Sequence, residues 1–313
     1  MFQDRTKPYI ERSYAEQLIM LTVIIAPFIG TLYALMRFWQ HGVTWKEPVM
    51  MIVFYWLTGL GITIGYHRML THRSFKAHPA VRFLFLMLGT MAFEGSPQSW
   101  AALHLMHHKH SDHEKDPHSP MEGFWHAHVG WLTCNFEESR WQYGRWMDKD
   151  PMIQFFNKTT LLWMAVRLLV PYLIDGWSGF LWGGLVAIFI THHVTWSVNS
   201  ASHVWGKRPF KTTDTSTNNW CVGILAFGEG WHNNHHAYMW SARHGLFKGQ
   251  FDISYLIIKA FEKMGLVSDV LVPTQQDIAR RLEKQERVAD LNALEAEGRP
   301  LVGDEMEEQA AVL

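Results

Sequence analysis

The chain has 313 residues and a formal net charge of -1, with 28 Lys and Arg against 29 Asp and Glu, so it carries no charge excess of the kind that binds nucleic acid. Two cysteines, Cys134 and Cys221, exclude a disulfide scaffold and any four-cysteine zinc or iron–sulfur site within the chain. Two counts stand out, 19 His and 16 Trp, and Trp gathers at membrane–water interfaces. Mean hydropathy is only -0.09, because the apolar residues sit in discrete blocks separated by polar, histidine-laden segments.

Met1 to Tyr14 is polar, and the apolar run after it is too long for a cleavable signal peptide. About 20 apolar residues carry a helix across a bilayer core, and residues 17–39 and 48–70 meet that length. Within the second, Gly61 and Gly65 form a small-xxx-small pair suited to helix packing, with no nucleotide fingerprint around them. Residues 71–156 form a long polar segment containing one apolar stretch, Val81 to Phe93, too short to span and expected in the interface or beneath a site. A third block, 157–176, is interrupted by Arg167 and Pro171, and a fourth, 177–200, carries His192 and His193. A second polar segment covers 201–273, and residues 274–313 read as a charged, helix-prone, mobile tail outside the membrane domain of 1–273. Backbone buried in lipid must satisfy its own hydrogen bonds, which helices do locally. The expected fold is therefore all-α, a four-transmembrane-helix bundle capped by a cytoplasmic helical domain.

Orientation follows from Lys and Arg. Arg5, Lys7 and Arg12 precede the first span, and Arg73, Lys76, Arg82, Lys109, Lys115, Arg140, Arg145 and Lys149 follow the second. The connection near Asp175 and Gly176 has none. Positive charge stays cytoplasmic, which places both termini and both polar segments on that side of a multi-pass protein.

Three histidine clusters then fall at one membrane face: HRMLTH (His67, His72), HLMHH (His104, His107, His108) and HNNHH (His232, His235, His236). In the last two, spacings of three and four put the rings on one helix face. Neutral imidazole is a good ligand for iron, copper or zinc, whereas three unpartnered histidines on a face suit neither packing nor solvation. His203 lies past the fourth span with Asn199 one turn before it. Nine histidines exceed one ion and suit two. Glu229, three residues before His232, is placed to accept from a ring nitrogen and orient a ligand. His110, His113 and His118 flank the second box; His192 and His193 are expected to line a channel, and His41, His78 and His244 to lie at the surface. A metal transporter would instead place its ligands along a path within the bilayer, and a zinc hydrolase needs only three protein ligands and an open position.

These residues resemble the membrane fatty acyl desaturases, particularly the delta-9 branch of bacteria, cyanobacteria and animals. The resemblance covers about Gly61 to Gly265 and rests on HRMLTH followed by RSF, HLMHHKHSD, DPHSP, HVGW, TWSVNSASH and GEGWHNNHH. It implies that His67, His72, His104, His107, His108, His203, His232, His235 and His236 bind two Fe ions, with Asn199 reaching a metal through water. Asp116 and His118, in the DPH segment, become supports for the ligands. The implied reaction is an O2-dependent desaturation that places a cis double bond, at delta-9, in a saturated acyl chain. Trp100 and Trp196 match tunnel-lining positions, and the tunnel floor is expected near Tyr55 and Met51 on the second span. With no iron–sulfur cysteine set, dinucleotide fingerprint or His-Pro-Gly-Gly signature, electrons are expected from a ferredoxin or cytochrome b5-like donor with its reductase. Members that use acyl-CoA carry basic residues where Ala102 and, near HVGWL, Asn135 and Phe136 stand here, and Glu94 replaces an amide. That favours an acyl-lipid substrate over acyl-CoA. The bacterial inner membrane is the expected location. A related di-iron hydroxylase or ketolase shares the boxes and is separated by its product.

Overall fold

The computed structural model describes residues 14–134 and 142–296. Arg5, Lys7 and Arg12, the substrate-carrier positions Asn135 and Phe136, and the acidic end of the tail lie outside the described residues. The chain is mostly helical: α1 (Tyr14–His41), α2 (Lys46–Thr71), α3 (Pro79–Thr90), α4 (Pro97–His110), α5 (Phe124–His128), α6 (Pro151–Gly179), α7 (Ala187–Asn199), α8 (Ala201–Val204), α9 (Trp220–Leu225), α10 (His232–Ala237), α11 (Ile253–Lys263) and α12 (Gln275–Ala296). Among the described residues one small sheet appears, β1 (Lys76–Ala77) antiparallel to β2 (Val267–Ser268). It ties the end of α2 to the segment after α11.

Among the described residues, three helical runs are long and apolar enough to cross a membrane: Leu18–His41, Lys46–Thr71 and Pro151–Val204. The last runs for 54 residues, and its backbone leaves helical geometry at Asp175 and Gly176. Gly176 has φ 55°, ψ -137°, a conformation open chiefly to glycine. Beyond it the chain doubles back: Pro171 packs against Gly179 and Gly183, and the buried Arg167 guanidinium donates to the Gly183 carbonyl. The break falls at the connection that the sequence places between its third and fourth apolar blocks.

The second half of α2, Gly61–Thr71, widens into a π-helix. Its signature hydrogen bond runs from a backbone N–H to the carbonyl five residues back, as from His72 N to the His67 carbonyl (3.0 Å), and the Thr71 hydroxyl also donates to the Tyr66 carbonyl (2.7 Å). The apolar stretch that begins at Val81 forms α3, which packs on this π segment and buries Val81, Phe85 and Leu86. Gly61 and Gly65 permit that approach. A Cβ on Gly61 would lie 2.2 Å from Gly89 N, and one on Gly65 2.6 Å from the Phe85 carbonyl oxygen.

The tail differs from expectation over its first half. α12 is docked, with Ile278 and Val288 buried and Ile278 joining Phe210, Tyr238 and Leu246 in a small core. Positions 278, 282, 285 and 288 recur at helical spacing, so a helix that reads as charged still presents one adhesive stripe. Arg281 adds a hydrogen bond to the Ala237 carbonyl at the end of α10 (2.6 Å).

Because the atoms facing Gly61 are backbone and cannot rotate away, Gly61→Val is expected to destabilise the protein by at least about 1–3 kcal/mol. Gly184→Ala, whose Cβ would meet the Leu168 and Phe180 side chains at 3.4 and 4.0 Å, is expected to be tolerated. Thermal melting of the detergent-solubilised variants compares the two.

Candidate metal centre

Each histidine box owes its geometry to a different local device. In α4, Ser96 caps the N-terminus by accepting from Ser99 N, Pro97 occupies the first turn, and an uninterrupted α-helix brings His104, His107 and His108 to one side. In α10 the short turn after Trp231 does the same for His232, His235 and His236. His67 and His72 are five residues apart, a spacing that diverges in an α-helix but aligns in the π-helical end of α2. Their ring centroids stand 4.7 Å apart.

The described residues bring all nine histidines into two groups. In the first, His67, His72, His104, His108 and His235 hold their ligand atoms within 4.8 Å of one another. The Nε2–Nε2 separations are 3.0 Å for His72–His104, 2.8 Å for His104–His108, 2.9 Å for His108–His235 and 3.2 Å for His67–His235. The second group is His107, His203, His232 and His236. There His232 Nε2 lies 3.0 Å from His203 Nε2 and 3.1 Å from His236 Nε2, while His107 Nε2 is buried without a hydrogen-bond partner.

The outer nitrogens explain which inner ones lack protons. His67 Nδ1 contacts Glu229 Oε2 (2.7 Å), His107 Nδ1 contacts Asp116 Oδ1 (2.9 Å), His203 Nδ1 contacts Asp112 Oδ1 (3.1 Å) and His236 Nδ1 contacts Asp214 Oδ2 (2.6 Å). A carboxylate accepts, so each Nδ1 carries the proton and each opposite Nε2 presents a lone pair. Lone pairs facing one another at about 3 Å repel unless a cation lies between them. Two nitrogens each about 2.1 Å from a common ion and at right angles around it stand about 3.0 Å apart. The donor set therefore fits two metal ions, one per group.

Electrostatics agree. Burial, then the neighbouring rings, hold His72, His104, His108, His232 and His235 well below the usual imidazole range, which keeps them neutral and able to ligate. At His107 burial opposes charge but Asp116 outweighs it and raises the pKa, so this position favours taking up a cation, whether a proton or a metal ion. The Asp116 and Asp214 carboxyls, pushed up by burial, are pulled lower still by His107 and His236.

Behind the first group sits a fully buried ion cluster. Arg68 bonds Glu229 Oε1 through Nε (3.1 Å) and Nη2 (3.0 Å), and Asp252 through Nη1 (2.9 and 3.1 Å). Asp252 also caps α11 by accepting from Tyr255 N. The Arg68 charge, set against burial, keeps Glu229 ionised far below the usual carboxylate range. His244 belongs here, its Nδ1 3.0 Å from Glu229 Oε2 and its ring 4.5 Å from that of His235. It is buried, contrary to the surface position expected from sequence. Glu229 does orient a ring, but the ring is His67 rather than the nearby His232.

An apolar cavity enclosing about 520 Å³, its mouth included, opens onto both groups. His67, His104, His232, Asn199 and Glu229 line one end, and Tyr55, Gly59 and Phe227 the other. Trp100 forms a wall, stacked on His104 (5.0 Å) and donating through Nε1 to Glu94 Oε2 (3.0 Å). The Glu94 carboxyl is pushed up to about 7 by burial. At the far end the Tyr55 hydroxyl donates to the Leu225 carbonyl.

Several expected residues lie elsewhere. Met51 packs a turn beyond Tyr55 against Met50 and Phe54 and does not line the cavity. Trp196 is buried against His192 (5.0 Å) and His193, because positions 191, 194, 195 and 198 take the cavity face of α7. For the same reason His192 and His193 line no channel: His192 Nε2 donates to the Ala92 carbonyl (3.0 Å) and His193 Nδ1 meets His128 Nε2 (3.0 Å). His118 lies 3.6 Å from Asp116, beside the His107 ring. His110 turns to the Tyr143 hydroxyl (3.0 Å), and neither it nor His113 joins a histidine group. His41 and His78 are exposed.

A family model described as fatty acid desaturase matches residues 46–246. An sn-1 stearoyl-lipid 9-desaturase of Anabaena variabilis is 40% identical over 246 residues, covering 77% of this chain and 89% of the relative. An acyl-CoA C20 Delta5-desaturase of Anemone leveillei is 39% identical over 253 residues (79% and 81%), and a hex-5-enoyl-[acyl-carrier protein] acetylenase of Moorena producens (strain JHB) is 36% identical over 291 (86% and 90%). The chain belongs to the fatty acid desaturase family. It is an oxidoreductase of the membrane acyl desaturase class.

Removing a carboxylate that holds a ligand ring typically lowers metal affinity about 10–100-fold. Glu229→Ala is therefore expected to release metal from the first group while sparing the second, and Asp214→Ala to do the reverse. Metal content per chain after dialysis against graded chelator should fall toward one ion in either variant.

Proposed function

We propose that the protein crosses the bacterial inner membrane four times, with both termini cytoplasmic, and uses two iron ions and O2 to place a cis delta-9 double bond in a lipid-esterified acyl chain. The observation that carries this reading is the cavity itself: one apolar pocket runs from both histidine groups to Tyr55. Four crossings are supported by the break at Asp175–Gly176, since a straight 54-residue helix would run about 81 Å, far beyond a bilayer core of about 30 Å.

His67, His72, His104, His108 and His235 would hold one iron, and His107, His203, His232 and His236 the other, with Asn199 placed to reach the site through water. Bound iron would supply the O2 activation needed to take hydrogen from unactivated methylenes, for which acid–base groups have no handle. The overall change balances as saturated chain, O2, two electrons and two protons giving the unsaturated chain and two waters. The protein's own work is positional. Trp100, Thr195 and Val198 confine the chain beside the histidines, and the apolar lining excludes bulk water from the reacting carbons. Electrons would come from a ferredoxin or cytochrome b5-like protein served by a reductase.

For the carrier, Ala102 is fully buried and offers no cation where CoA-using members place one, which supports a lipid ester. The delta-9 position is supported by the stearoyl-lipid relative, although the acyl-CoA relative is named for delta-5.

Expression in a desaturase-deficient host with a ferredoxin or cytochrome b5 system, followed by gas chromatography–mass spectrometry, tests the reading. A new monounsaturated acid that disappears in His107→Ala is expected; hydroxylated acids would move the protein to the oxygen-inserting relatives. Tyr55→Ala opens the floor toward Met51 and is expected to shift the product profile to longer chains. An unchanged profile would remove Tyr55 from the floor.

A further inference from the structure

A second concavity, open and enclosing about 1260 Å³ with its mouth included, lies beside the third histidine box and has no part in the reaction as described so far. Lys207, Arg208 and Lys248 line it, with Trp220, Trp231 and Phe247 as apolar walls, and no carboxylate is among its lining residues. The Arg208 guanidinium is fixed by the carbonyls of Ser216 (3.0 Å) and Asp214 (2.5 Å). Lys207 and Lys248 are exposed, and the lysine ion pairs of the described residues involve Lys46, Lys76 and Lys259 instead. The groove thus gathers positive charge on a chain whose net charge is only -1.

Its position is what gives that charge a use. Glu229 and His232 face the apolar cavity, while Trp231, between them in sequence, lines the groove. Asn218, also in the groove, exchanges hydrogen bonds with Asn234 of the His232–Ala237 helix, donating from Nδ2 to Oδ1 (2.7 Å) and accepting Asn234 N–H at Oδ1 (3.2 Å). The groove is therefore lined by the residue that precedes His232 and by one bonded to the short helix that carries His232 and His236. A cationic, aromatic-rimmed recess this close to a redox centre suits a negatively charged electron carrier, because complementary charge steers docking and fixes orientation.

We propose that this groove docks an acidic one-electron carrier protein of the ferredoxin kind, with its carboxylates against Lys207, Arg208 and Lys248 and electrons entering beside Trp231 and His232. The inference rests on the desaturase reading above. Each docking oxidises one carrier and reduces the centre by one electron, so two carriers are oxidised for every double bond formed and every O2 reduced to two waters.

The test uses the full-length, iron-loaded protein in lipid vesicles, with a reduced plant-type ferredoxin as the probe. Lys207→Glu/Lys248→Glu is expected to raise KM for ferredoxin at least tenfold, with Lys207→Gln/Lys248→Gln intermediate. Salt is expected to slow the wild type far more than the charge-reversed variant. Single-turnover desaturation driven by dithionite, which needs no docking, should be equal in all three, as should iron content. An unchanged KM for ferredoxin overturns the proposal. So does a KM change that follows the anionic lipid content of the vesicles, which would make the groove a headgroup site. Dithionite-driven wild type that forms no unsaturated product overturns the desaturase reading, and the docking with it.

Discussion

The structure depends on unprotonated imidazole nitrogens being made to face one another in a buried space. Left alone, the Nε2 lone pairs of His203 and His236 both face His232 Nε2 at about 3 Å, where a single ring N–H can satisfy at most one of them. The fold imposes this arrangement nonetheless, by fixing the proton of His67, His107, His203 and His236 on Nδ1 through Glu229, Asp116, Asp112 and Asp214. Binding a cation at each group turns that repulsion into ligation, so metal affinity and folding become one quantity. The carboxylates also bring negative charge to a site where two ions would add positive charge, which lowers the cost of burying either.

Helix α2 joins this constraint to the membrane. Its first half reads as an ordinary apolar span, while its second half widens so that His67 and His72 align and the fully buried Arg68 between them turns to the opposite side. There Arg68 ties Glu229, next to the third box, to Asp252, the cap of α11. One helix thus carries ligands toward the site and, on its other side, the cation that holds the carboxylate orienting one of those ligands. Close packing of α3 on Gly61 and Gly65 keeps the widened segment from relaxing.

What the sequence revealed follows from how locally each feature is determined. The rings of α4 and α10 are legible because spacings of three and four have one meaning in an α-helix. The five-residue spacing of His67 and His72 has no such meaning until a π-helix is known, and nothing in HRMLTH signals one. Asp116 was visible beside the second box, but Asp112 and Asp214 meet His203 and His236 only through tertiary folding. His244 reads as an isolated surface histidine because its partners, Glu229 and Arg68, come from far along the chain. Trp196 and Met51 were placed on the right helices but on faces that turn away from the cavity. The tail was misread for a different reason: its charge density hides a stripe at 278, 282, 285 and 288, where burial and not composition decides.

In the proposed reaction the same helix would set the ruler. His67 at the histidine end of the cavity and Tyr55 at its floor are twelve residues apart on α2, about 18 Å at the α-helical rise and somewhat less across the widened turns. A chain pushed to the floor therefore presents to the metals a carbon counted from its methyl end. A chain held by its headgroup at the mouth presents one counted from the carboxyl end. Relatives named for different double-bond positions share this chain's family, so membership of the family does not by itself set the position. It must be divided between the floor, where the Tyr55 hydroxyl is tied to the Leu225 carbonyl and its ring packs on Phe227 at 5.2 Å, and whatever grips the headgroup. Because floor and ligand belong to one continuous helix, the distance between them resists thermal fluctuation, and a single side chain at the floor can reset the register without disturbing the metal centre.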